Sequence, residues 1–189
     1  PTMISIELRG PYLVFCGDEA RRTYAKTGAG LVQWRRDLCL GQLRLAGGVD
    51  LGIPDLAIEE AARAGAGSVI IGTALVGGSV PDSWLALLCD AARAGLDVVG
   101  GLHTRLTDIP ALVDAAREGG SRLVDVRVPP TKLPVGTGRK REGKRLLTVG
   151  TDCALGKKYT ALQLEHDMRA AGLQATFRAT GQTGIMIAG

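Results

Sequence analysis

The sequence is poor in aromatic residues and histidine, and it has no long apolar run. Aromatic residues make up 4% of its 189 residues and histidines number 2, whereas hydrophobic residues make up 46%. No apolar stretch approaches the roughly 20 residues that a membrane-spanning helix needs, so a membrane is not expected as a partner. Abundant Ala, Gly, Leu and Val are typical of buried parallel strands covered by alanine-rich helices, and the sequence therefore predicts an α/β protein.

Cysteine is also scarce, and its spacing lacks the common metal motifs. The cysteines contain no pair of the C-x-x-C type, so they predict no metal site. We expect a reduced, cytoplasmic protein, because structural disulfides are rare in that compartment. The residues concerned are Cys16, Cys39, Cys89 and Cys153.

The excess of positive charge lies in one segment. The net charge is +4, and between Pro129 and Arg145 the basic residues outnumber a single glutamate. Prolines and glycines in the same segment predict a solvated linker between two domains; a basic arm that assists an anionic ligand is the alternative. Because the segment lacks interleaved aromatic residues and any RNA-binding signature, nucleic acid is not expected as a partner.

Apolar runs alternate with helical patterns before this linker. Single helices between strands imply right-handed crossovers and so a parallel, doubly wound sheet. Strands are predicted at residues 12–16, 68–72, 96–100 and 123–127, with a further one near 38–40, and helices at 54–64, 81–94 and 109–118.

A second α/β unit begins after the linker. Predicted strands at 146–149 and 175–179 stand on either side of a helix at 157–171. A phosphate-loop domain normally needs several more strands, so we expect further parts of this domain to lie beyond the 189 residues. The predicted division is an N-terminal domain over 1–128, a basic Pro/Gly linker over 129–145 and the first part of a second domain over 146–189.

The segment 147–160, with the sequence LTVGTDCALGKKYT, carries the strongest functional signal. An apolar strand, a loop closed by Gly156 and Lys157, and a helix follow one another. Backbone N–H groups of such a loop converge with the helix N-terminus on one anion, and the lysine reaches an outer phosphate as a point charge. A phosphate-bearing ligand is therefore predicted. The residues expected to bind it are Gly150, Thr151, Cys153, Gly156, Lys157, Lys158 and Thr160.

The loop departs from the standard pattern G-x-x-x-x-G-K-[ST] in two ways. One residue too many separates Gly150 from Gly156, and Lys158 stands where a magnesium-binding hydroxyl would be, with Thr160 the next threonine downstream. The pattern predicts phosphate binding and leaves metal-dependent nucleotide hydrolysis open. A glycine-capped strand-to-helix turn with an incidental Gly-Lys pair is the structural alternative.

Other candidate residues follow predicted strands, where ligands bind in open parallel sheets. His103 comes directly after the strand at 96–100; a histidine hydrogen-bonded at the base of its loop is the alternative. Residues 180–184, TGQTG, offer hydroxyls, an amide and glycines that let the backbone approach a ligand closely. We expect a ligand contact from this segment, although a simple turn would have the same composition.

The segments GTDCALGKKYTAL at 150–162 and RATGQTGIMIAG at 178–189 resemble a bacterial and archaeal family first described only as a domain of unknown function, the DgcN-like D-glutamate N-acetyltransferases. The parts that fit its N-terminal domain are residues 25–27, 72, 77–78 and 100–103. The resemblance covers essentially the whole chain. It implies an N-terminal Rossmann-like parallel sheet followed by the start of a P-loop NTPase-like α/β domain, in a family whose members are usually much longer.

The resemblance also implies an activity, the transfer of an acetyl group from acetyl-CoA to the amine of D-glutamate. The loop would then hold the pyrophosphate and ribose phosphate of coenzyme A. Such a transfer needs a base for the ammonium proton and donors for the developing oxyanion, and Asp152 and His103 are the candidate catalytic residues by chemical type. The candidate substrate-binding residues are Arg127, Arg178, Thr180, Gln182 and Thr183, with Arg105 a further arginine that could pair with a carboxylate.

Two other functions stay open. The start of the loop also resembles that of dethiobiotin synthetase, which implies an ATP- or GTP-dependent enzyme with Mg²⁺, such as a ligase acting on a carboxylate. Lys158 departs from the hydroxyl residue of that pattern. The third function is a non-catalytic nucleotide-binding module whose N-terminal domain binds a partner. For the acetyltransferase the expected partner is a small-molecule amino-acid substrate, and the sequence leaves a homo-oligomer open.

Overall fold

A five-stranded parallel sheet forms the centre of the N-terminal domain. The computed structural model describes residues 7–73, 80–127, 135–140, 142–152, 155–179 and 181–188. The strand order is β2-β1-β3-β4-β5. The strands are β1 (Tyr12–Gly17), β2 (Cys39–Arg44), β3 (Ser68–Ile71), β4 (Asp97–Gly100) and β5 (Leu123–Asp125). The predicted doubly wound α/β sheet is confirmed, and its order reverses between β1 and β3, where folds of this class bind ligands.

Six α-helices accompany the sheet in the part of the chain that the structure describes. They are α1 (Lys26–Trp34), α2 (Ile58–Arg63), α3 (Asp82–Arg93), α4 (Pro110–Gly119), α5 (Lys157–Ala170) and α6 (Gln182–Ala188). None of them is both long and apolar enough to cross a membrane.

The side chains of β1 enter two separate cores, because successive residues of a strand point to opposite faces of a sheet. Leu13 and Phe15 lie in the core beneath α3 and α4, whereas Val14 lies in the core beneath α1 and α6. The rings of Phe15 and Trp84 meet edge to face with their centroids 5.1 Å apart. Burying one such side chain stabilises a fold by about 1.5–3 kcal/mol, so both faces contribute to holding the sheet.

Helix α1 has no counterpart among the predicted helices, because Gly28 and Gly30 lower the helix propensity of its first turns. Tertiary packing overrides that preference. The Gly28 N–H donates to the carbonyl of Gly72 over 2.8 Å, and a Cβ on Gly28 would come within 3.0 Å of a methyl group of Val14. The glycines therefore let the helix lie close to the sheet. The strand that follows, predicted near 38–40, is the longer β2.

The two strands predicted for the second unit, at 146–149 and 175–179, are not strands in the structure, and this prediction is wrong. Leu147 and Val149 are 79% and 78% exposed. A strand needs a neighbouring strand for its N–H and C=O groups, and among the described residues the sheet contains only the five strands of the N-terminal domain. The helix predicted between them does form, as α5.

Helix α6 begins inside the segment 180–184, which was expected to be a loop at a strand end. It packs on α1, with Met186 and Ile187 buried in the core that also contains Leu31. Arg35 donates a hydrogen bond from Nη1 to the carbonyl of Ile187 over 3.0 Å. Residues of the second unit are thereby fixed against the N-terminal sheet.

Candidate functional site

Residues 148–152 fold back on the start of α5. We call the segment 148–157, as far as the structure describes it, the phosphate loop. The hydroxyl of Thr148 donates to the carbonyl of Lys157 over 2.9 Å. In return, Nζ of Lys157 donates to the carbonyl of Asp152. Gly156 has a φ of 90°, in the left-handed region that glycine adopts without strain. The ammonium group of Lys157 therefore lies against the loop backbone, within reach of an anion bound there.

Gly150 gives the Lys157 side chain room to cross the loop. A Cβ at Gly150 would lie 3.2 Å from Cδ of Lys157, closer than an ordinary carbon–carbon contact. Thr151 is exposed at the turn of the loop. The structure thus brings Gly150, Gly156 and Lys157 together, as expected of residues that share one anion.

One predicted phosphate ligand, Thr160, bonds within its own helix. The hydroxyl of Thr160 donates to the carbonyl of Gly156, one turn earlier in the helix, over 3.2 Å. Cys153 lies outside the described residues. Thr160 therefore stabilises the first turn of α5 in this structure, and its role towards a phosphate or a metal ion stays a prediction.

Lys158 is directed to the N-terminal domain instead of the loop. Its Nζ lies 4.6 Å from the ring centroid of Tyr159, a cation–π distance. Burial, and secondarily the charge of Lys26, lowers the pKa of Lys158 to about 8. The Tyr159 hydroxyl donates to the carbonyl of Lys26 over 3.3 Å, and the Tyr159 ring stacks on that of Trp34 with centroids 6.5 Å apart.

At the start of α6, Gln182 contacts a residue just beyond β4 and Thr183 contacts a residue of α1. Thr183 Oγ1 lies 2.7 Å from Oγ1 of Thr27 in a buried hydrogen bond. Gln182 lies against Gly101, which follows β4, so closely that a Cβ there would be 2.7 Å from Cβ of Gln182. Thr180 lies outside the described residues.

Two buried oxygens at this edge have no hydrogen-bond partner among the described residues. They are Oγ1 of Thr73, which is 3% exposed, and Oε1 of Gln182. Since β3 and β4 are neighbours, with Ile70 opposite Val99, Thr73 and Gly101 follow adjacent strands. An unpaired buried polar atom costs about 1–3 kcal/mol. These oxygens therefore suit a ligand that carries N–H or O–H donors.

His103 and Arg127 meet at the ends of β4 and β5. Nη1 of Arg127 lies 3.2 Å from Nε2 of His103. A guanidinium can only donate, so Nε2 accepts and the proton of the neutral ring is on Nδ1. Both side chains are exposed. A candidate base and a candidate carboxylate-binding group are therefore neighbours.

The remaining candidates lie elsewhere. Asp152 is exposed within the phosphate loop, whereas His103 follows β4. Arg178 and Arg105 are both exposed. No group of three or more His, Cys, Asp or Glu side chains in the described ranges could hold a metal ion.

Sequence reasoning missed a cavity of about 400 Å³ between α1 and the start of α5. Its lining residues are Arg22, Lys26, Ala29, Val32, Gln33 and Tyr159. The signal that could have indicated it is the pattern KTGAG at 26–30, because glycines within a helix often mark the close approach of a second element.

Comparison with known proteins places these features in a family. A family model described as a DUF1611_N Rossmann-like domain of unknown function matches residues 42–129. A second, described as a DUF1611_C P-loop domain of unknown function, matches residues 134–189. The crystal structure of a DUF1611 family protein from Anabaena variabilis is similar with a TM-score of 0.80 and 31% identity, over 95% of this chain and 55% of that one.

Two curated relatives are named D-glutamate N-acetyltransferase. The protein from Tritonibacter scottomollicae is 47% identical over 180 residues, which are 95% of this chain and 54% of the relative. The protein from a Pseudoalteromonas species is 42% identical over 185 residues, 97% of this chain and 56% of the relative. The chain therefore spans just over half the length of these relatives.

Proposed function

This chain belongs to the DUF1611 family, and from that premise we propose that it is part of an N-acetyltransferase that moves an acetyl group from acetyl-CoA to the amine of D-glutamate. The observation that carries the proposal is the 47% identity to a D-glutamate N-acetyltransferase over 95% of the chain. We further propose that the protein acts in the cytoplasm, as expected from its cysteine pattern.

The phosphate loop fits the phosphates of coenzyme A. Its donor set consists of backbone N–H groups at the start of α5 and the ammonium group of Lys157, both of which bind phosphate oxygens. Bound acetyl-CoA would supply the acetyl group as a thioester. In this proposal Gly150 leaves space for the Lys157 side chain, and Gly156 allows the turn before α5. When the ligand binds, the Lys157 ammonium group donates its hydrogen bond to a phosphate oxygen instead of to the Asp152 carbonyl.

The edge of the sheet fits the amino-acid substrate. An ammonium group carries only donors, and the unpartnered oxygens of Thr73 and Gln182 can act as acceptors. That of Gln182 lies beside Gly101. Arg127 can pair with a carboxylate through two parallel hydrogen bonds. The same edge thus offers groups of the right chemistry for both the amine and a carboxylate of D-glutamate.

His103 is our candidate for the base. In the structure its Nε2 lone pair accepts a hydrogen bond from Arg127. A substrate carboxylate that pairs with Arg127 would release this nitrogen, which could then take a proton from the ammonium group. The neutral amine forms the new C–N bond as the thioester C–S bond breaks. The sulfur leaves as a thiolate, which takes up the second proton that the nitrogen loses. Asp152 is the alternative base, since it is exposed in the phosphate loop.

An ATP- or GTP-dependent enzyme is the second candidate, and the Gly156-Lys157 pair of the loop favours it. Calorimetry with acetyl-CoA, ATP and GTP, each with and without Mg²⁺, separates the two. We expect heat from acetyl-CoA binding that does not depend on Mg²⁺. Micromolar binding of ATP with Mg²⁺, together with no heat from acetyl-CoA, would contradict the acetyltransferase. Acetylation of D-glutamate is then measured by thiol release, with the Tritonibacter relative as the positive control.

A further inference from the structure

The first turns of α1 and α5 meet, and both begin with lysine. Lys26 is the first residue of α1, and Lys157 and Lys158 are the first two of α5. The two helices contact through Tyr159, whose hydroxyl donates to the carbonyl of Lys26. One turn further along α1, a Cβ on Gly30 would come within 3.1 Å of that hydroxyl. The contact between the Tyr159 hydroxyl and α1 therefore depends on a glycine.

This arrangement concentrates positive charge. A helix N-terminus carries partial positive charge, and acidic side chains usually occupy its first turn. Neither α1 nor α5 has an acidic residue there. Within the described residues, neither Lys26 nor Lys158 forms an ion pair with a carboxylate. The two lysines repel each other, which contributes to the lowered pKa of Lys158, and an anion between them would stabilise both.

The cavity at this point has a cationic rim and an apolar wall. Arg22 and Lys26 supply the charge, Ala29 and Val32 of α1 supply the wall, and Tyr159 of α5 borders it. Its volume of about 400 Å³ is in the range of sites for nucleotide-sized ligands. Among the described residues no carboxylate lines it, so this part of the chain offers no counter-charge for the ammonium group of an amino acid. The cavity therefore favours a phosphate attached to an apolar ring system.

We propose that this cavity binds the 3′-phosphoadenosine end of coenzyme A, with Arg22, Lys26 and Lys158 around the phosphate monoester. The inference rests on the proposed function and adds a second anion site to it. Lys157 and Lys158 are adjacent in sequence, but the first lies against the phosphate loop and the second over Tyr159. A single ligand could use both lysines if its pyrophosphate lay at Lys157 and a separate phosphate monoester lay near Lys158.

Calorimetry with coenzyme A and with 3′-dephospho-coenzyme A tests this site. We expect the unmodified protein to bind coenzyme A about tenfold more tightly, because the phosphate monoester makes charge-assisted hydrogen bonds. Lys26→Ala and Arg22→Ala should each lose most of this preference by weakening the binding of coenzyme A alone. Both side chains are exposed, so the fold should be retained, which circular dichroism checks.

Arg117→Ala is the matched control for the loss of one charge. Arg117 is exposed on α4 and pairs with Asp114 over 2.9 Å, and α4 covers the opposite face of the sheet. This variant should keep the full preference for coenzyme A. Equal binding of both ligands by the unmodified protein, or an unchanged preference in Lys26→Ala, would overturn the 3′-phosphate site and leave the acetyltransferase intact. Binding of neither ligand would overturn both.

Discussion

Thr27 and Thr183 share a buried hydrogen bond of 2.7 Å although 156 positions separate them in sequence. The bond joins the start of α1 to the start of α6, and thus connects the N-terminal sheet to the TGQTG segment. Neither hydroxyl is exposed to water, so each depends on the other for its hydrogen bond. This contact therefore helps to hold Gln182 at the sheet edge.

Replacing Thr183 with valine should destabilise the protein. The hydroxyl of Thr27 would stay buried without its partner, which costs about 1–3 kcal/mol. Urea unfolding measures the loss. The double variant Thr27→Val, Thr183→Val should lose less than the sum of the single variants, because neither side chain leaves an unpaired hydroxyl. Thr23→Val, at an exposed position, is the control, and an equal loss in this variant would contradict the role of the buried bond.

Replacing Gly101 with alanine should disturb the start of α6. The new methyl group would lie 2.7 Å from Cβ of Gln182, and overpacking of this kind costs about 1–3 kcal/mol. The free energy of unfolding should fall by that amount, and affinity for D-glutamate should fall with it. Gly136→Ala is the control, since nothing lies within 4 Å of a Cβ there. Unfolding at the same urea concentration for both variants would contradict the close contact.

The sheet could be predicted from sequence because its signals are local. The strands at 12–17, 68–71 and 97–100 are fully buried and mostly apolar. Helix α4 is capped by Gly120, whose φ of 65° lies in the left-handed region that glycine often adopts at the end of a helix. The strands expected at 146–149 and 175–179 have the same local signal, but a strand also needs a pairing partner. That requirement cannot be read from the segment itself.

The candidate site could be predicted only as separate pieces. The phosphate loop, His103 and Arg127 each follow from position and chemical type. The contact between His103 and Arg127 requires β4 and β5 to be neighbours in the sheet, and that strand order could not be predicted from the two residues themselves. Lys26 was not predicted as a binding residue because α1 itself was not predicted. The glycines of α1 lower its helix propensity, and their role is to pack against Val14 and Tyr159, which the sequence does not show.

Replacing Lys157 with alanine should weaken the binding of whichever phosphate ligand occupies the loop. The ammonium group lies against the loop backbone beside Asp152, and a charge-assisted hydrogen bond to phosphate contributes about 1.5–3 kcal/mol. The dissociation constant for acetyl-CoA should therefore rise about 10- to 100-fold in calorimetry. An unchanged dissociation constant would indicate that the loop is only a strand-to-helix turn.

Replacing Lys158 with methionine should stabilise the protein near pH 7. The folded state holds the pKa of Lys158 at about 8, below the ordinary lysine value of 10.5, so between these two pH values the unfolded state binds more protons. The free energy of unfolding of the unmodified protein therefore rises as pH rises from about 8 to 10.5. Below pH 8, Lys158 is charged in the folded state and the full cost of burying that charge lowers stability. The groups that face Lys158 are Lys26 of α1 and Tyr159 of α5.

The measurement for Lys158→Met is thermal unfolding at pH 7 and pH 10. We expect the variant to melt a few degrees higher at pH 7, with a smaller difference at pH 10. Lys140→Met, at an exposed position, should show no such change with pH. A difference that is the same at both pH values would mean that methionine stabilises through its apolar contacts alone.

Replacing Arg127 with glutamine should affect the substrate more than the acetyl donor. Glutamine cannot form the bidentate ionic pair that a guanidinium makes with a carboxylate, so KM for D-glutamate should rise about 10- to 100-fold while KM for acetyl-CoA stays within about twofold. His103→Gln should instead lower kcat, because it removes the proton acceptor and keeps a polar side chain beside Arg127. Steady-state kinetics measure both, with Arg117→Gln as the control. Equal effects of Arg127→Gln on the two KM values would show that Arg127 supports the fold of the site and does not bind the substrate carboxylate.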